Sequence, residues 1–288
     1  MRALISLAAF VALGWVDMAS TSEPAKPPSW QSEGTTVWMN TPSGRLKTRA
    51  YKSETQNSDP VLIAILHGDL PPADSQYYFA LVTAHAYDNV IAVAVLRPGY
   101  ADTSGDRSSG ELGYYSGDNY TAAVVDDIKV ALGELKARYN ASKVVLVGHS
   151  GGGAVAANLI GRYPDIAEAT VLAACACDPD ALMKRLKARN PNLPRDLANP
   201  SLRPVDLVPN IAPSMRVRMV VGEQDDVTGV PDTQLYADAL RSHGIDVTVT
   251  IVPEAGHNIL FSAPLYQALA ELVEPLGARP KPHPMFAP

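Results

Sequence analysis

The sequence predicts an α/β fold in which a mostly parallel central sheet is flanked by helices. From residue 35 onward, short β-branched apolar runs alternate with longer segments of helical periodicity. This alternation is typical of parallel strands that are covered on both faces. The chain has 288 residues, 47% of them hydrophobic and 19% charged. It can therefore bury a large core, which excludes a disordered or fibrous protein.

Eight segments of the chain read as strands. The first two, 35–39 and 46–51, are weaker and are expected to be antiparallel edge strands. Six nearly uninterrupted apolar runs follow, at 61–66, 90–96, 143–147, 169–174, 217–221 and 247–252. Because these six are rich in β-branched residues and nearly uninterrupted, we expect them to be buried on both faces.

The clearest helix is predicted over residues 119–139. Its apolar stripe, at alternating spacings of three and four, consists of Val125, Ile128, Leu132, Leu135 and Tyr139. Asp118 or Asn119 can cap its start, and Asn140 is a plausible stop. Three further helices are expected at 151–163, 231–242 and 263–276. A short amphipathic piece at 181–188 lies in a Pro-rich interval, 178–213, which suits an inserted cap over a site.

The two ends of the chain read differently from the α/β domain predicted over residues 35–277. Residues 1–22 predict a signal peptide, because Arg2 precedes an apolar run from Ala3 to Val16 that is short for a membrane span. The protein is therefore expected to be exported, periplasmic or secreted, with no integral membrane span after processing. Residues 23–34 read as a linker, and the Pro-rich residues 278–288 as a flexible tail.

Charge and composition exclude several functions. With 24 Lys and Arg against 30 Asp and Glu, the net charge is −6 and no basic cluster occurs, so nucleic acid is an unsuitable partner. No histidine and carboxylate spacing of a metal-dependent hydrolase is present, and we expect neither a metal nor a cofactor. Cys175 and Cys177 are interpreted mainly as packing residues, with a local disulfide in an oxidising compartment as the alternative. The oligomeric state cannot be read from the sequence.

The sharpest motif is Gly148-His149-Ser150-Gly151-Gly152, which follows the predicted strand at 143–147 directly and leads into a helix of small residues. In so tight a strand-to-helix turn, the residue at the apex is forced toward a strained backbone, and its side chain projects out of the sheet. Ser150 occupies that apex. The following helix N-terminus would offer the Gly151 amide to an oxyanion.

Phosphate-binding turns compete for the same string of residues. A dinucleotide-binding turn is disfavoured because Ser150 takes a required glycine position and the unit is not the first of the chain. A P-loop is disfavoured because no Lys-Ser or Lys-Thr follows the glycines. A chance Gly-rich junction remains the alternative to a nucleophile.

A serine nucleophile needs a base and an acid that orients the base. Among six histidines, His257 is the best candidate, because it follows the final strand at the C-terminal edge of the sheet. Candidate acids follow the strand at 217–221, namely Glu223, Asp225 and Asp226.

The motif around Ser150 resembles the nucleophile elbow of the α/β-hydrolase superfamily, and the resemblance spans residues 35–277. It implies a Ser-Asp-His order along the chain, with the acid three residues after Gly222, which selects Asp225. It also implies a second oxyanion donor in the loop His67-Gly68-Asp69-Leu70, with the Asp69 amide as the choice and Leu70 as the fallback. A purely structural turn is the alternative there.

The same resemblance places a substrate around six residues: His67, Gly68, Leu70, Arg97, Tyr100 and His149. The expected activity is that of a serine hydrolase, like a carboxylesterase, that cleaves a small-molecule ester through an acyl-enzyme. A peptidase-like amide hydrolase is the alternative on the same fold. A non-catalytic binding protein with this fold is the alternative from another class.

Overall fold

The computed structural model describes residues 29–70, 72–113, 115–190, 192–193 and 199–281. The predicted signal peptide and the first half of the predicted linker, residues 23–28, lie outside these residues. Within them, no helix is both long and apolar enough to cross a membrane. At the start of the described chain, residues predicted as linker form a single helical turn, α1 (Ser29–Ser32).

One eight-stranded sheet organises the molecule, in the order β1-β2-β5-β3-β6-β7-β8-β9. Its strands are β1 (Thr35–Thr41), β2 (Gly44–Lys52), β3 (Val61–Leu66), β5 (Val90–Val95), β6 (Lys143–His149), β7 (Ala169–Ala173), β8 (Arg216–Gly222) and β9 (Asp246–Val252). Within this sheet the β1–β2 and β2–β5 pairs are antiparallel, whereas the strands from β5 to β9 in the sheet order run parallel to one another. The prediction of a mostly parallel sheet with an antiparallel start is confirmed.

Helices cover both faces of this sheet. They are α2 (Ser75–Ala86), α3 (Ala122–Tyr139), α4 (Gly151–Arg162), α5 (Pro179–Arg189), α6 (Val230–Ser242) and α7 (Ala263–Val273). Apolar side chains of α3, α4 and α6 form the core on one face, and those of α2 and α7 form it on the other. Every residue of β3, β5 and β7 is buried between these layers, as their unbroken apolar runs predict. The expectation of burial on both faces was wrong for the run at 247–252: no residue of β9 is buried, because this strand lies at the edge of the sheet.

The helix caps differ in part from the prediction. Helix α3 begins at Ala122, because the Thr121 side chain accepts a hydrogen bond from the Val124 amide and takes the capping role expected of Asp118 or Asn119. Asn140 does end the helix, in a left-handed conformation. Helix α2 was not predicted; it is buried around most of its surface, so it has no apolar stripe.

The predicted tail is wrong for residues 278–281. Ala278 is buried, and β10 (Arg279–Pro280) pairs with β4 (Tyr87–Asp88) in a two-stranded sheet. Lys281 donates its backbone N–H to the Ala86 carbonyl at 2.7 Å. The prolines were compatible with this pairing because a single short edge ladder needs few amide donors.

The predicted cap, 178–213, divides into two parts. Helix α5 lies at the C-terminal edge of the sheet, where Arg185 Nε donates to the Val227 carbonyl at 2.8 Å. The second part contains a 3-10 helix (Pro204–Asn210) that packs against α4, with Leu207 against Gly161. That part therefore covers α4 instead of a site.

Candidate active site

The turn between β6 and α4 has the strained geometry that its sequence predicts. Ser150 has φ of 55° and ψ of −119°, an unusual conformation for a residue with a side chain. The turn can be this tight because of its glycines: a Cβ on Gly148 would overlap the Gly152 carbonyl, and a Cβ on Gly152 would overlap that of Leu66. Ser150 is thereby held at the C-terminal edge of the sheet.

Neighbouring backbone groups fix the Ser150 peptide unit. Its N–H donates to the Ala173 carbonyl at 2.9 Å, and its carbonyl accepts from the amides of Gly153 at 2.9 Å and Ala176 at 3.1 Å. These bonds tie the turn to the end of β7. Hydrogen bonds to both the N–H and the carbonyl of Ser150 therefore hold its strained backbone conformation in place.

The cysteines beside this turn form a disulfide between Cys175 and Cys177. The expectation that they serve mainly as packing residues was wrong, and the alternative of a local disulfide holds. Both are buried, and Cys175 packs directly against Gly153 of α4. The disulfide brackets Ala176, whose amide bonds to the Ser150 carbonyl.

A chain of hydrogen bonds joins Ser150, His257 and Asp225. His257 Nε2 lies 2.9 Å from Ser150 Oγ, and His257 Nδ1 lies 3.0 Å from Asp225 Oδ2 and 3.1 Å from Oδ1. The three residues follow strands β6, β9 and β8, whose C-terminal ends meet at one edge of the sheet. A neutral imidazole that donates from Nδ1 to Asp225 presents its Nε2 lone pair to the serine.

Asp225 is the one carboxylate of the predicted three that reaches His257. Its side chain is fully buried and accepts from the amides of Val227 (2.9 Å) and Thr228 (3.0 Å) and from Thr228 Oγ1 (2.7 Å). Burial alone would raise the pKa of Asp225. The hydrogen bonds from His257 and Thr228 outweigh it and hold that pKa well below its usual range, so the carboxylate stays ionised.

The two alternative acids point elsewhere. Asp226 forms a surface ion pair with Arg189 at 2.9 Å, and its side chain is 77% exposed. The Glu223 carboxylate accepts a hydrogen bond from the Glu254 amide at 3.0 Å. Geometry therefore favours Asp225, as predicted, over both neighbours.

His149 supports the loop that carries His257. Its Nε2 lies 3.1 Å from the His257 carbonyl oxygen, so Nε2–H is the donor, and the two rings lie 5.2 Å apart. Burial lowers the pKa of His149 to about 4, which keeps the ring neutral near pH 7. Its expected contact with a substrate remains a prediction; its visible role is to hold the His257 backbone.

The loop after β3 lies against the turn between β6 and α4, where Ser150 stands. A Cβ on Gly68 would stand 3.1 Å from Ser150 Cβ, and Asp69 Oδ1 would overlap a Cβ on Gly151. Among the residues that the structure describes, neither the Asp69 amide nor the Gly151 amide has a hydrogen-bond acceptor. Both amides are thus available to an oxygen bound beside Ser150, as the resemblance implies.

The Asp69 side chain is saturated with hydrogen bonds. Oδ1 accepts from Arg97 Nη1 at 2.8 Å and from the Tyr100 hydroxyl at 3.3 Å. Oδ2 accepts from the Tyr120 hydroxyl at 2.7 Å and from the Gly117 amide at 3.0 Å. Burial raises the pKa of Asp69, but the charge of Arg97 and these hydrogen bonds outweigh it, so the pKa is lowered and the group is an anion.

Two predicted substrate contacts, Arg97 and His67, face inward. Arg97 is fully buried and donates from Nη1 to the His67 carbonyl at 3.1 Å as well as to Asp69. His67 Nε2 accepts from the Arg97 amide at 2.9 Å, so Nδ1 carries the proton that it donates to the Gly68 carbonyl at 2.7 Å. Arg97 follows β5 directly, so these contacts tie the loop after β3 to the end of β5. The expectation that they contact substrate is corrected accordingly.

Comparison with known proteins agrees with this architecture. Residues 102–218, less than half of the chain, match a hydrolase family described as serine aminopeptidase, S33. The matched segment includes Ser150 and its turn but ends before Asp225 and His257. Together with the sheet order and the solved structures below, this match shows that the chain has the α/β-hydrolase fold. The sequence matches none of the curated proteins with which it was compared.

Solved structures with a similar fold include esterases and a peptidase. An esterase of Pyrococcus furiosus, Pf2001, superimposes with a TM-score of 0.63 at 16% identity, covering 88% of this chain and 94% of its own. Est1E of Butyrivibrio proteoclasticus, solved with ferulic acid, gives 0.61 at 15% identity, with 83% and 99% covered. An acylaminoacyl peptidase gives 0.64 at 14% identity, covering 87% of this chain and 42% of its own. At these identities the likeness shows the fold alone.

A small cavity of about 170 Å³ opens beside Asp69, in the loop after β3. Its walls are formed by Asp69, Leu70, Tyr100, Leu112, Gly113, Tyr115 and Ser116. Leu70 is 79% exposed and Leu112 is 37% exposed, so the lining combines exposed leucines with polar groups such as Asp69 and Ser116. Leu70 and Tyr100 line this cavity, and their expected contact with a substrate remains a prediction.

Sequence reasoning missed the residues that anchor the two acidic groups. Thr228 and Val227 hold Asp225, and Tyr120 and Gly117 hold Asp69. The sequence after Asp225 carried a usable signal, because an Asp side chain at a turn commonly accepts hydrogen bonds from the backbone amides two and three residues later. Tyr120 carried none, because it lies 51 residues from Asp69. Among the described residues, no cluster of three His, Cys, Asp or Glu side chains could hold a metal ion.

Proposed function

We propose that this α/β-hydrolase is a serine hydrolase that cleaves carboxylic esters through an acyl-enzyme intermediate. The observation that carries the proposal is the continuous hydrogen-bonded chain Ser150–His257–Asp225 at a strained turn. In this reading Ser150 is the nucleophile, His257 the general base and then acid, and Asp225 the group that orients the imidazole. The amides of Gly151 and Asp69 are proposed as the oxyanion donors.

The proposed reaction has two halves. Ser150 Oγ attacks the ester carbonyl while His257 Nε2 takes its proton, and the negative charge moves to the carbonyl oxygen beside the two amides. Collapse of this intermediate breaks the bond to the alkoxy group, which leaves with the proton from His257. Water, deprotonated by His257, then attacks the acyl-enzyme, and Ser150 regains its proton as the acid departs.

An ester is favoured over a substrate with a free amino terminus. Recognition of an ammonium group needs an available anion, and the Asp69 carboxylate beside the site is already paired with Arg97 and bonded to three further donors. The cavity beside Asp69 carries two exposed leucines, Leu70 and Leu112, which suit an uncharged group. A cavity of about 150 Å³ accepts a benzene ring, so this one suits a short or single-ring uncharged group.

A peptidase-like amide hydrolase is the second candidate. The match of residues 102–218 to a family described as serine aminopeptidase favours it, as does the fold likeness to an acylaminoacyl peptidase. The Ser150, His257 and Asp225 geometry suits amide hydrolysis as well. A binding protein without activity is the third, and the intact hydrogen-bonded chain weighs against it.

Labelling with a fluorophosphonate tests the proposal most directly. Mass spectrometry is expected to place the adduct on Ser150, and Ser150→Ala is expected to lower the hydrolysis of an activated ester by about 10⁵ to 10⁶ without unfolding the protein. Acyl esters of graded length are then compared with aminoacyl anilides. Faster turnover of anilides would favour the peptidase, and an unlabelled, inactive wild type would favour the binding protein.

Export remains a proposal that rests on residues 1–22. The buried Cys175–Cys177 disulfide supports it, because disulfides persist in oxidising compartments. Expression of the full chain in a bacterial host, followed by fractionation and sequencing of the mature N-terminus, tests it. An uncleaved cytosolic product would contradict it.

A further inference from the structure

A negative charge lies where this reaction can least tolerate one. Asp69 Oδ1 is packed against the Gly151 Cα, and the amides of these same two residues are the proposed oxyanion donors. The developing oxyanion would therefore stand within a few ångströms of a second anion. An uncompensated like charge at such a distance would raise the energy of the transition state, most strongly in a site from which water is excluded.

Arg97 is the cation that faces this carboxylate. Its Nη1 lies 2.8 Å from Asp69 Oδ1, with the Arg97 side chain 0% exposed and that of Asp69 7% exposed. The guanidinium carbon lies 4.9 Å from the Tyr100 ring centre and 5.6 Å from that of Tyr120, so aromatic faces enclose it. Little solvent is left to screen either charge, and the pair acts as a neutral unit.

Arg97 also shapes the loop that presents the Asp69 amide. It donates from Nη1 to the His67 carbonyl and from its backbone N–H to His67 Nε2, at 3.1 and 2.9 Å. The loop is therefore gripped on both sides of Gly68. A residue that only held the loop could be replaced by any side chain with similar donors, whereas charge cancellation demands a cation.

We propose that Arg97 is a positioning residue that keeps the oxyanion hole electrically neutral by pairing with Asp69. The inference rests on the proposed serine-hydrolase function. Arg97 touches no reacting atom in this account; it acts through Asp69, whose amide serves the oxyanion while its carboxylate would oppose it. Loss of the cation should lower kcat more than it changes KM, because only the transition state carries the added negative charge.

The test compares two substitutions that differ in charge. Arg97→Lys keeps the cation and loses the planar fork, whereas Arg97→Gln keeps an N–H donor and loses the cation. We expect Arg97→Lys to retain kcat within about tenfold, and Arg97→Gln to lose about 10² in kcat with a small change in KM. The double variant Asp69→Asn/Arg97→Gln removes both charges and is expected to recover at least about tenfold of that loss.

Stability is measured in parallel, with Lys47→Met as the matched control. Lys47 forms another buried ion pair, with Asp102 at 2.6 Å, and its other partners are Ser104 and Asp106. This variant should lower the thermal midpoint while kcat of the folded fraction stays near that of the wild type. It separates a general cost of breaking a buried pair from an effect at the oxyanion.

Equal kcat losses in Arg97→Lys and Arg97→Gln, or a double variant no faster than Arg97→Gln, would overturn the inference in favour of a structural clamp. Should Arg97→Gln fail to fold, the double variant replaces it, and a loss of 10² relative to Arg97→Lys overturns the inference. If the wild type labels at Ser150 and hydrolyses esters while Arg97→Gln matches it, only this inference falls. If the wild type does neither, the proposed function falls with it.

Discussion

Replacing Asp225 by Asn should reverse the imidazole tautomer while leaving the fold unchanged. Two backbone amides, those of Val227 and Thr228, point at Asp225 Oδ1, so the carboxamide oxygen must occupy that position. The NH₂ group then takes the place of Oδ2, which lies 3.0 Å from His257 Nδ1. His257 must accept at Nδ1 and carry its proton on Nε2, facing Ser150 Oγ at 2.9 Å.

That tautomer cannot take the serine proton, and we expect kcat for an activated ester to fall by about 10⁴. The assay is initial-rate hydrolysis of the ester together with the rate of fluorophosphonate labelling at Ser150. Asp226→Asn is the matched control, since its carboxylate pairs with Arg189 at the surface. It should stay within about twofold, as expected for an exposed ion pair.

A folded Asp225→Asn protein with kcat within tenfold of the wild type would refute this reasoning. So would a large loss in Asp226→Asn beside a small one in Asp225→Asn, because the acid would then be the neighbouring residue. Circular dichroism and thermal unfolding establish that each variant is folded before its rate is interpreted.

Two further predictions concern the anchoring threonine and the buried histidines. Thr228→Val removes the hydroxyl that lies 2.7 Å from Asp225 Oδ2 but keeps the side-chain shape and the backbone donor. A hydrogen bond to a charged group is worth about 1.5 to 3 kcal/mol, so steady-state kinetics should show kcat reduced by about tenfold or more, and an unchanged kcat would show that the backbone amides suffice. Burial lowers the pKa of His149 to about 4 and that of His67 to about 3, whereas both bind a proton near pH 6.5 when unfolded. The unfolded chain therefore binds more protons as the pH falls from about 6.5 to about 4, and the free energy of unfolding should fall by up to about 1.4 kcal/mol per pH unit for each histidine. Urea unfolding across this range measures the slope; His149→Gln should make it shallower, and an identical slope would contradict the contribution of His149.

The fold was largely predictable because most of its central parallel strands are buried on both faces. Runs such as 61–66 and 143–147 leave no alternative to a covered parallel sheet, and the observed strands β3 and β6 coincide with them or extend them. Helix α2 escaped prediction for the same physical reason. It is apolar nearly all round, so periodicity could not identify it. The pairing of β10 with β4 depends on a contact between distant segments that carries no local signal.

The candidate site was predictable where the backbone dictates it. Gly148 and Gly152 mark a turn that only glycine can make, and chain order along the sheet then points to His257 and Asp225. Side-chain direction was not predictable. The sequence shows that a negative charge at Asp69 would be unhelpful beside an oxyanion unless it is directed away. The motif near the end of β5 gave no sign that Arg97 turns inward to pair with it, because that contact depends on how two separate loops are placed in space.

The short β4–β10 ladder fixes where residues 279–281 lie on the molecule. Tyr87 and Asp88 immediately precede the start of β5, whereas Ser150, His257 and Asp225 all follow the ends of their strands. Lys281 therefore lies at the opposite edge of the sheet from these three residues. A support or fluorophore attached near Lys281 should therefore leave Leu70 and the cavity beside it facing solution, away from the point of attachment.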